Sequence, residues 1–248
     1  MKQKLCLVFL LFIFLLSSCV KESPEPIVEV PRETLTRELV HTQKNGDLTV
    51  WLYSDLTAEI ASVEPNPATK HLAVPEKIEE YTVVAIRDEV FASSPCVEIT
   101  LPDTIVTIGK GAFRKSLLEH ITLPASLTFL GEEAFENCLA LEKVTFSSPL
   151  KEIPLSCFFS CHSLKEVILK EGTARIGEEA FGDCTELQYV SLPASLTDIS
   201  PFAFWNCRHP ALSLTLPDAV RSIGESAFAG TVYENDPAFA PRGAEEAL

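Results

Sequence analysis

Ile176-Gly177-Glu178-Glu179-Ala180-Phe181-Gly182-Asp183-Cys184-Thr185-Glu186-Leu187-Gln188-Tyr189-Val190-Ser191-Leu192-Pro193 is one unit of a repeat, and its reading decides the fold. The Ala-Phe pair or a variant of it recurs, placing Phe91, Phe113, Phe135, Phe158, Phe181, Phe204 and Phe228 at intervals of 22, 22, 23, 23, 23 and 24. Upstream of each ring stands an aliphatic residue, usually followed by Gly: Ile86, Ile108, Leu130, Ile153, Ile176, Ile199 and Ile223. Downstream comes an alternating segment that ends in Leu-Pro at Pro102, Pro124, Pro193 and Pro217, and without the Pro at Phe146 and Leu169. Chance does not hold three anchors in phase over this many intervals.

Each anchor has a physical role. In Val144-Thr145-Phe146 the first and third side chains are predicted to point inward and Thr145 outward, because successive strand residues face opposite sides. Pro after the segment lacks an N–H and ends the ladder. Gly after the aliphatic anchor suits a tight corner where a positive φ is needed. Each Phe is a bulky interior plug, and the plugs are predicted to stack. The polar pairs Glu132-Glu133 and Glu178-Glu179 are predicted to begin a short helical or 3-10 turn, where acids favour the positive N-terminal end.

The composite unit, I-G-x-x-A-F-x-x-C-x-x-L-x-x-V-x-L-P, resembles the leucine-rich repeats of the BspA-like bacterial surface proteins, over about Val83 to Ala229. One repeat cannot bury its apolar side alone, so units stack into a continuous core. The expected fold is a leucine-rich-repeat solenoid: short parallel β-strands, with turns or short helical or 3-10 segments on the convex side. Leu48 to Tyr53 and Thr57 to Val63 read as strands, and His71-Leu72-Ala73-Val74-Pro75 carries the apolar-Pro ending. The resemblance implies that residues 39–82 form an N-terminal β cap, with Trp51 closing the open end of the core, ahead of an array over 83–230. Residues 231–248 lack the pattern and are either a poorly ordered cap or the end of a shortened array.

The start of the chain is an address. Lys2 and Lys4 precede an unbroken apolar run from Leu5 to Leu16, shorter than the roughly 20 residues a spanning helix needs and suited to a signal peptide over residues 1–18. Leu16-Ser17-Ser18-Cys19 resembles a bacterial lipobox, which implies lipidation at Cys19 after cleavage. Residues 19–38 are rich in Pro and Glu and read as a lipid-anchored flexible tether. The chain carries 20 Lys+Arg against 35 Asp+Glu; loss of Lys2 and Lys4 leaves 18 − 35 = −17. Such acidity excludes a general nucleic-acid binder, which needs a basic face. A bacterial cell envelope location follows, lipid-anchored at the outer membrane or cell surface.

The residues able to carry chemistry resolve into scaffold. Cys138, Cys161, Cys184 and Cys207 form a ladder in phase with the rings. Parallel Cβ vectors disfavour disulfides between rungs. Four rungs also span too far for one zinc, whose bonds to sulfur are ~2.3 Å. They read as buried small hydrophobes with a weak donor, as do Cys96 at a Leu slot and Cys157 at an Ala slot. Mostly free thiols are expected. His41, His71, His120, His162 and His209 show no metal-binding or catalytic spacing. Ser148-Pro149-Leu150-Lys151 matches S-x-x-K, but no S-D-N or K-T-G accompanies it. No catalytic residue, cofactor or metal is assigned, and no enzyme activity is expected.

What remains is the displayed strand face. Its outward residues include Glu119 and His120, then Glu142 and Lys143, then Lys165, Glu166 and Ile168, then Gln188 and Tyr189. These are the candidate partner-binding residues, with mixed charges that suit a protein partner, such as a host matrix or envelope protein. The resemblance implies surface recognition or adhesion without catalysis. A structural or assembly role in an envelope complex, and an inhibitor or accessory subunit, use the same face.

Overall fold

Lys143-Val144-Thr145-Phe146 forms a strand in which Val144 and Phe146 are buried while Lys143 and Thr145 are exposed, as the alternation predicts. The structure, a computed structural model, describes residues 37–64, 66 and 68–243. The address, Cys19, the tether as far as residue 36, and residues 244–248 lie outside this range.

That strand belongs to a parallel sheet of seven: His71–Ala73, Glu98–Thr100, His120–Leu123, Lys143–Phe146, Glu166–Ile168, Tyr189–Ser191 and Ser213–Leu214. Neighbours follow chain order, so each turn of the chain adds one rung to this front sheet, giving a solenoid of about 7 turns.

The aliphatic anchors form a second parallel ladder. Tyr81–Ile86, Thr107–Ile108 and Phe129–Leu130 pair in series, and Glu152–Ile153, Arg175–Ile176, Asp198–Ile199 and Ser222–Ile223 form a separate four-stranded run. The residue after each anchor donates its N–H to the anchor carbonyl one rung back: Gly109 to Ile86 (2.8 Å), Gly131 to Ile108 (2.8 Å), Gly177 to Ile153 (2.7 Å), Ser200 to Ile176 (2.9 Å) and Gly224 to Ile199 (2.8 Å). Pro154 occupies this slot between Gly131 and Gly177 and has no N–H to give Leu130. The second ladder parts there.

The Gly residues in this slot do not serve the role expected of them. Gly109, Gly131, Gly177 and Gly224 are not among the positive-φ residues. They are required by close approach: a Cβ on Gly131 would lie 2.4 Å from the Gly109 carbonyl carbon and from the Lys110 nitrogen. Positive φ occurs instead two residues before each ring and two after. Glu89, Gly111, Glu133, Ser156, Glu179, Phe202 and Ser226 make the first column; Ser93, Lys115, Asn137, Ser160, Asp183, Asn206 and Gly230 make the second. These residues build turns, and the only helical segment among the described residues is the 3-10 turn Pro237–Phe239. Glu132-Glu133 and Glu178-Glu179 therefore begin turns, not helices. The left-handed residues aim backbone N–H groups at the next rung, as from Asn137 to Phe159 (2.8 Å) and from Ser160 to Gly182 (2.8 Å).

Inside, the seven rings form one column. Successive centroids from Phe91 to Phe228 are 5.0 to 5.4 Å apart with planes within 12°. Beside them the thiols of Cys138, Cys161, Cys184 and Cys207 donate to the carbonyls of Phe113, Phe135, Phe158 and Phe181 at 3.0 to 3.2 Å. Cys96 and Cys157 are buried too, and all six are free thiols.

The two ends of the stack differ. At the N-terminal end β1 (Leu39–Asn45), β2 (Leu48–Tyr53) and β3 (Thr57–Val63) pair antiparallel, and β3 then pairs parallel with Tyr81–Ile86. Leu48, Val50 and Leu52 face inward with Ala58 and Ile60. Trp51 does not plug the core as expected: it sits in the opposite phase of β2, with the Arg87 guanidinium 3.8 Å over its ring. At the other end the described part of the tail folds back. Phe239 packs edge-on to Phe228 at 4.9 Å and stacks on Tyr233 at 4.3 Å. The Tyr233 hydroxyl accepts from the Leu214 N–H (3.0 Å) and donates to the Leu212 carbonyl (3.1 Å), covering the edge of the last front strand.

Candidate functional site: the front sheet

The front sheet carries rows fixed by strand register. His71, Glu98, His120, Lys143, Glu166, Tyr189 and Ser213 stand side by side across the rungs. The next outward row runs Ala73, Thr100, Thr122, Thr145, Ile168 and Ser191. Of the residues singled out from sequence, His120, Lys143, Glu166 and Tyr189 thus share one row. Ile168 lies in the second, and Glu119, Glu142, Lys165 and Gln188 immediately precede their strands.

Ile168 is 43% and Tyr189 45% exposed, on adjacent rungs. Both present apolar surface to solvent, on the fifth and sixth of the seven front strands. Glu142 and Lys165, both candidates, bind one another: Nζ to Oε2 is 2.9 Å. The Lys165 ammonium holds the Glu142 carboxyl below the usual carboxylate range. Exposed pairs of this kind contribute little to stability, so both groups are available to a partner.

Three further residues complete the row: His71, Glu98 and Ser213. His71 Nδ1 lies 3.0 Å from Glu98 Oε2. His71 and Glu98, with Glu119, His120, Thr100 and Thr122, line a shallow groove of about 670 Å³ at the N-terminal half of the sheet. The signal for His71 was in the sequence, in the apolar-Pro ending that aligns its strand with the others.

Off this face, one of the histidines set aside from sequence joins a polar cluster. Asp183 on the turn edge gathers His162 Nε2 (2.9 Å), Ser160 Oγ (3.2 Å) and Asn206 Nδ2 (2.5 Å). Burial would raise its pKa, but these partners outweigh burial and lower it. Ser160 donates to Asp183 and not to His162, so the group ties rungs together and activates no nucleophile. Among the described residues no group of three or more His, Cys, Asp or Glu could hold a metal.

The comparisons follow the same geometry. The family model of the BspA-type leucine-rich repeat region matches residues 84–211 in six copies. A leucine-rich repeat protein from Eubacterium ventriosum is 26% identical with a TM-score of 0.68, over 79% of this chain and 51% of that one. A leucine-rich cell surface protein from Faecalibacterium prausnitzii is 26% identical with a TM-score of 0.67, over 78% and 53%. A leucine-rich repeat protein of Treponema pallidum is 28% identical with a TM-score of 0.71, over 80% and 92%. The chain thus spans about half the length of the first two. A comparison with curated proteins gives no match. The chain belongs to the BspA-type leucine-rich repeat family.

Proposed function

We propose that this protein is a non-catalytic recognition or adhesion lipoprotein of the bacterial cell surface that binds a protein partner through its front sheet. Leucine-rich repeats generally mediate protein–protein contacts, and the F. prausnitzii relative is described as a cell surface protein. One observation carries the choice of face: Ile168 and Tyr189 are exposed on adjacent rungs, diagonally across two outward rows, and Tyr189 continues the row His71, Glu98, His120, Lys143 and Glu166. A half-exposed aromatic and an aliphatic side chain ringed by charge is how binding surfaces are composed. Residues 1–18 act as the removable signal, Cys19 as the lipid anchor, 19–38 as the tether, 39–82 as the cap and 83–230 as the displayed array.

The test is affinity capture with the lipid-free domain against purified matrix proteins and, separately, envelope extract. Capture of a matrix protein, lost when Tyr189, Lys143 and Lys165 are all changed to Ala at unchanged melting temperature, supports the reading. Unchanged capture by that variant overturns the face. Capture from envelope extract alone replaces adhesion with an assembly role.

A further inference from the structure

The turn edge of the solenoid carries three columns of side chains, three and two residues before each core ring and one after. Backbone bonds fix the register of the last column. Ser93 donates to Arg114, Lys115 to Glu136, Asn137 to Phe159, Ser160 to Gly182, Asp183 to Trp205 and Asn206 to Ala229. Arg114, Glu136, Phe159, Gly182, Trp205 and Ala229 are therefore neighbours in series.

In the N-terminal half this edge satisfies itself. Arg114 reaches Glu89 on the rung before (3.5 Å) and Glu133 and Glu136 on the rung after (3.3 and 3.6 Å). Lys110 reaches Glu132 (3.1 Å) and Glu133 (2.9 Å). Glu89, Glu132, Glu133 and Glu136 thus each face a cation of the same chain, and Asp88 accepts the Lys110 backbone N–H (2.8 Å).

In the C-terminal half the acids persist and the cations are gone. Glu178, Glu179 and Glu225 occupy the acid columns, and among the described residues none of them forms a salt bridge. The slot held by Arg114 is Gly182 here. Its neighbours in that column are Phe159 and Trp205, and the slot that corresponds to Glu133 holds Phe202. None of these three rings belongs to the core column. Trp205 is 39% exposed, and Phe159 and Phe202 are half-buried. Phe159 leans over the glycine, so that a Cβ on Gly182 would lie 3.0 Å from its Cδ2. Phe202 is a bulky residue at φ 56°, where other rungs place Glu, Gly or Ser. The ring thus occupies an unfavourable backbone position outside the core column, in a slot that the fold fills elsewhere with Glu, Gly or Ser.

We propose that Phe159, Phe202 and Trp205, with Glu179 beside Gly182, form a second docking surface that receives an arginine or lysine side chain of a partner protein in the slot that Arg114 fills within the chain. Aromatic faces attract cations through the ring quadrupole, most strongly for Trp and guanidinium. Glu179 and Glu178 supply the opposite charge, and the net charge of −15 favours approach of a basic segment. The surface lies away from the front sheet and stands or falls independently of it.

The test reads Trp205 fluorescence while an amidated Gly-Arg-Gly-Arg-Gly peptide is titrated into the domain, with Trp205→Phe to subtract the Trp51 signal. Saturable change is expected, absent for the peptide with citrulline in place of Arg, and about tenfold weaker for Glu179→Gln and for Phe202→Ser. Ser is the residue of the same slot at Ser156 and Ser226, so the second variant keeps the fold. The Tyr189, Lys143 and Lys165 variant is expected to bind the peptide normally. Equal response to the citrulline peptide, or unweakened binding in both variants, overturns the proposal. So does a response confined to a neutral oligosaccharide, which would make the rings a sugar-stacking platform.

Discussion

The thiol of Cys161 donates to the carbonyl of Phe135, one rung back in the array, at 3.1 Å. The bond explains why a reactive residue is repeated inside a scaffold. Each ring position has a carbonyl turned toward the next rung, and a small side chain with one donor fits against it. Ser94, Ser116, Cys138, Cys161, Cys184, Cys207 and Thr231 fill the corresponding slots, and all are buried and carry a donor. Chemistry at these sulfurs is suppressed. Burial pushes the Cys138 thiol up, partly opposed by hydrogen bonds from Ser116, and burial places Cys161 well above the ordinary range.

A first prediction concerns alkaline pH. The Cys138 thiol moves from an ordinary 9.0 to about 11. A group whose folded pKa is raised contributes stability that is complete below its unfolded pKa and is lost as pH climbs to the folded one. The window is therefore pH 9 to 11, across which Cys138 accounts for a loss of about 2–3 kcal/mol. Urea melts of wild type and Cys138→Ala across that window should converge as pH rises. Parallel curves would show that the thiol ionises equally in both states. At neutral pH the native protein should leave the six buried thiols unmodified by a thiol-disulfide reagent until it is unfolded.

The ring column predicts a long-range packing cost. Phe158 lies 5.2 Å from Phe135 and 5.4 Å from Phe181, stacked nearly parallel to both, and meets Phe146 edge-on at 6.2 Å. Phe158→Ala removes a contact on three sides and should cost about 3–5 kcal/mol. In a solenoid each rung is supported only by its neighbours. Hydrogen exchange should therefore accelerate first in the rungs of Phe135 and Phe181 and least at Phe91.

Much of this architecture was legible in the sequence because its information is spacing. A ring, an aliphatic anchor and an alternating segment held in phase are enough to stack the chain, and the outward rows follow from a period of two. Legibility failed where one pattern has two physical causes. Gly after Ile is equally the mark of a positive φ and of a close backbone approach, and only the 2.4 Å separation above Gly109 distinguishes them. The resemblance implies a closing role for Trp51, but strand phase decides its place: in Leu48-Thr49-Val50-Trp51-Leu52 the inward set is Leu48, Val50 and Leu52. Tyr233 and Phe239 have no repeat to announce them. Their place follows from the open end of the stack, which becomes visible only when the last rung is built. The Glu142–Lys165 pair and the aromatic edge likewise join residues a full turn apart.

The close approach at Gly131 is directly testable. Gly131→Ala would drive a methyl into the backbone of Gly109 and Lys110, and should cost about 2–3 kcal/mol through forced backbone movement. If the glycine served a positive φ instead, Gly131→Asn would be tolerated and Gly131→Ala would not. Close approach predicts that Asn, being larger, is the worse of the two.

The left-handed columns predict a gain. Lys115 is exposed at φ 58° and makes no side-chain bond among the described residues, whereas Gly111 sits at the same φ without steric cost. A non-glycine residue there is strained by about 1–2 kcal/mol, and Gly adds unfolded-chain entropy of roughly 0.5–1 kcal/mol. Lys115→Gly should leave a net stabilisation of about 0.5–1 kcal/mol, read as a higher urea midpoint at constant slope. The reciprocal Gly111→Ala should lower it.

The C-terminal closure carries the last prediction. Without the Tyr233 hydroxyl the Leu214 N–H and the Leu212 carbonyl lose their partner, and the last front strand becomes a bare edge. Unpaired edges cost stability and invite pairing with another chain. Tyr233→Phe keeps the stack on Phe239 and removes only the hydroxyl, so its cost should be about 1–2 kcal/mol. Phe239→Ala removes the cover over Phe228 as well and should cost more. Both variants should self-associate in light scattering at concentrations where wild type does not. The association should be stronger for Tyr233→Phe, relative to its stability loss, because that change uncovers backbone donors and acceptors and leaves the apolar cover in place. If both variants instead scatter in proportion to their loss of stability, the unfolded chain and not the exposed edge is the associating species.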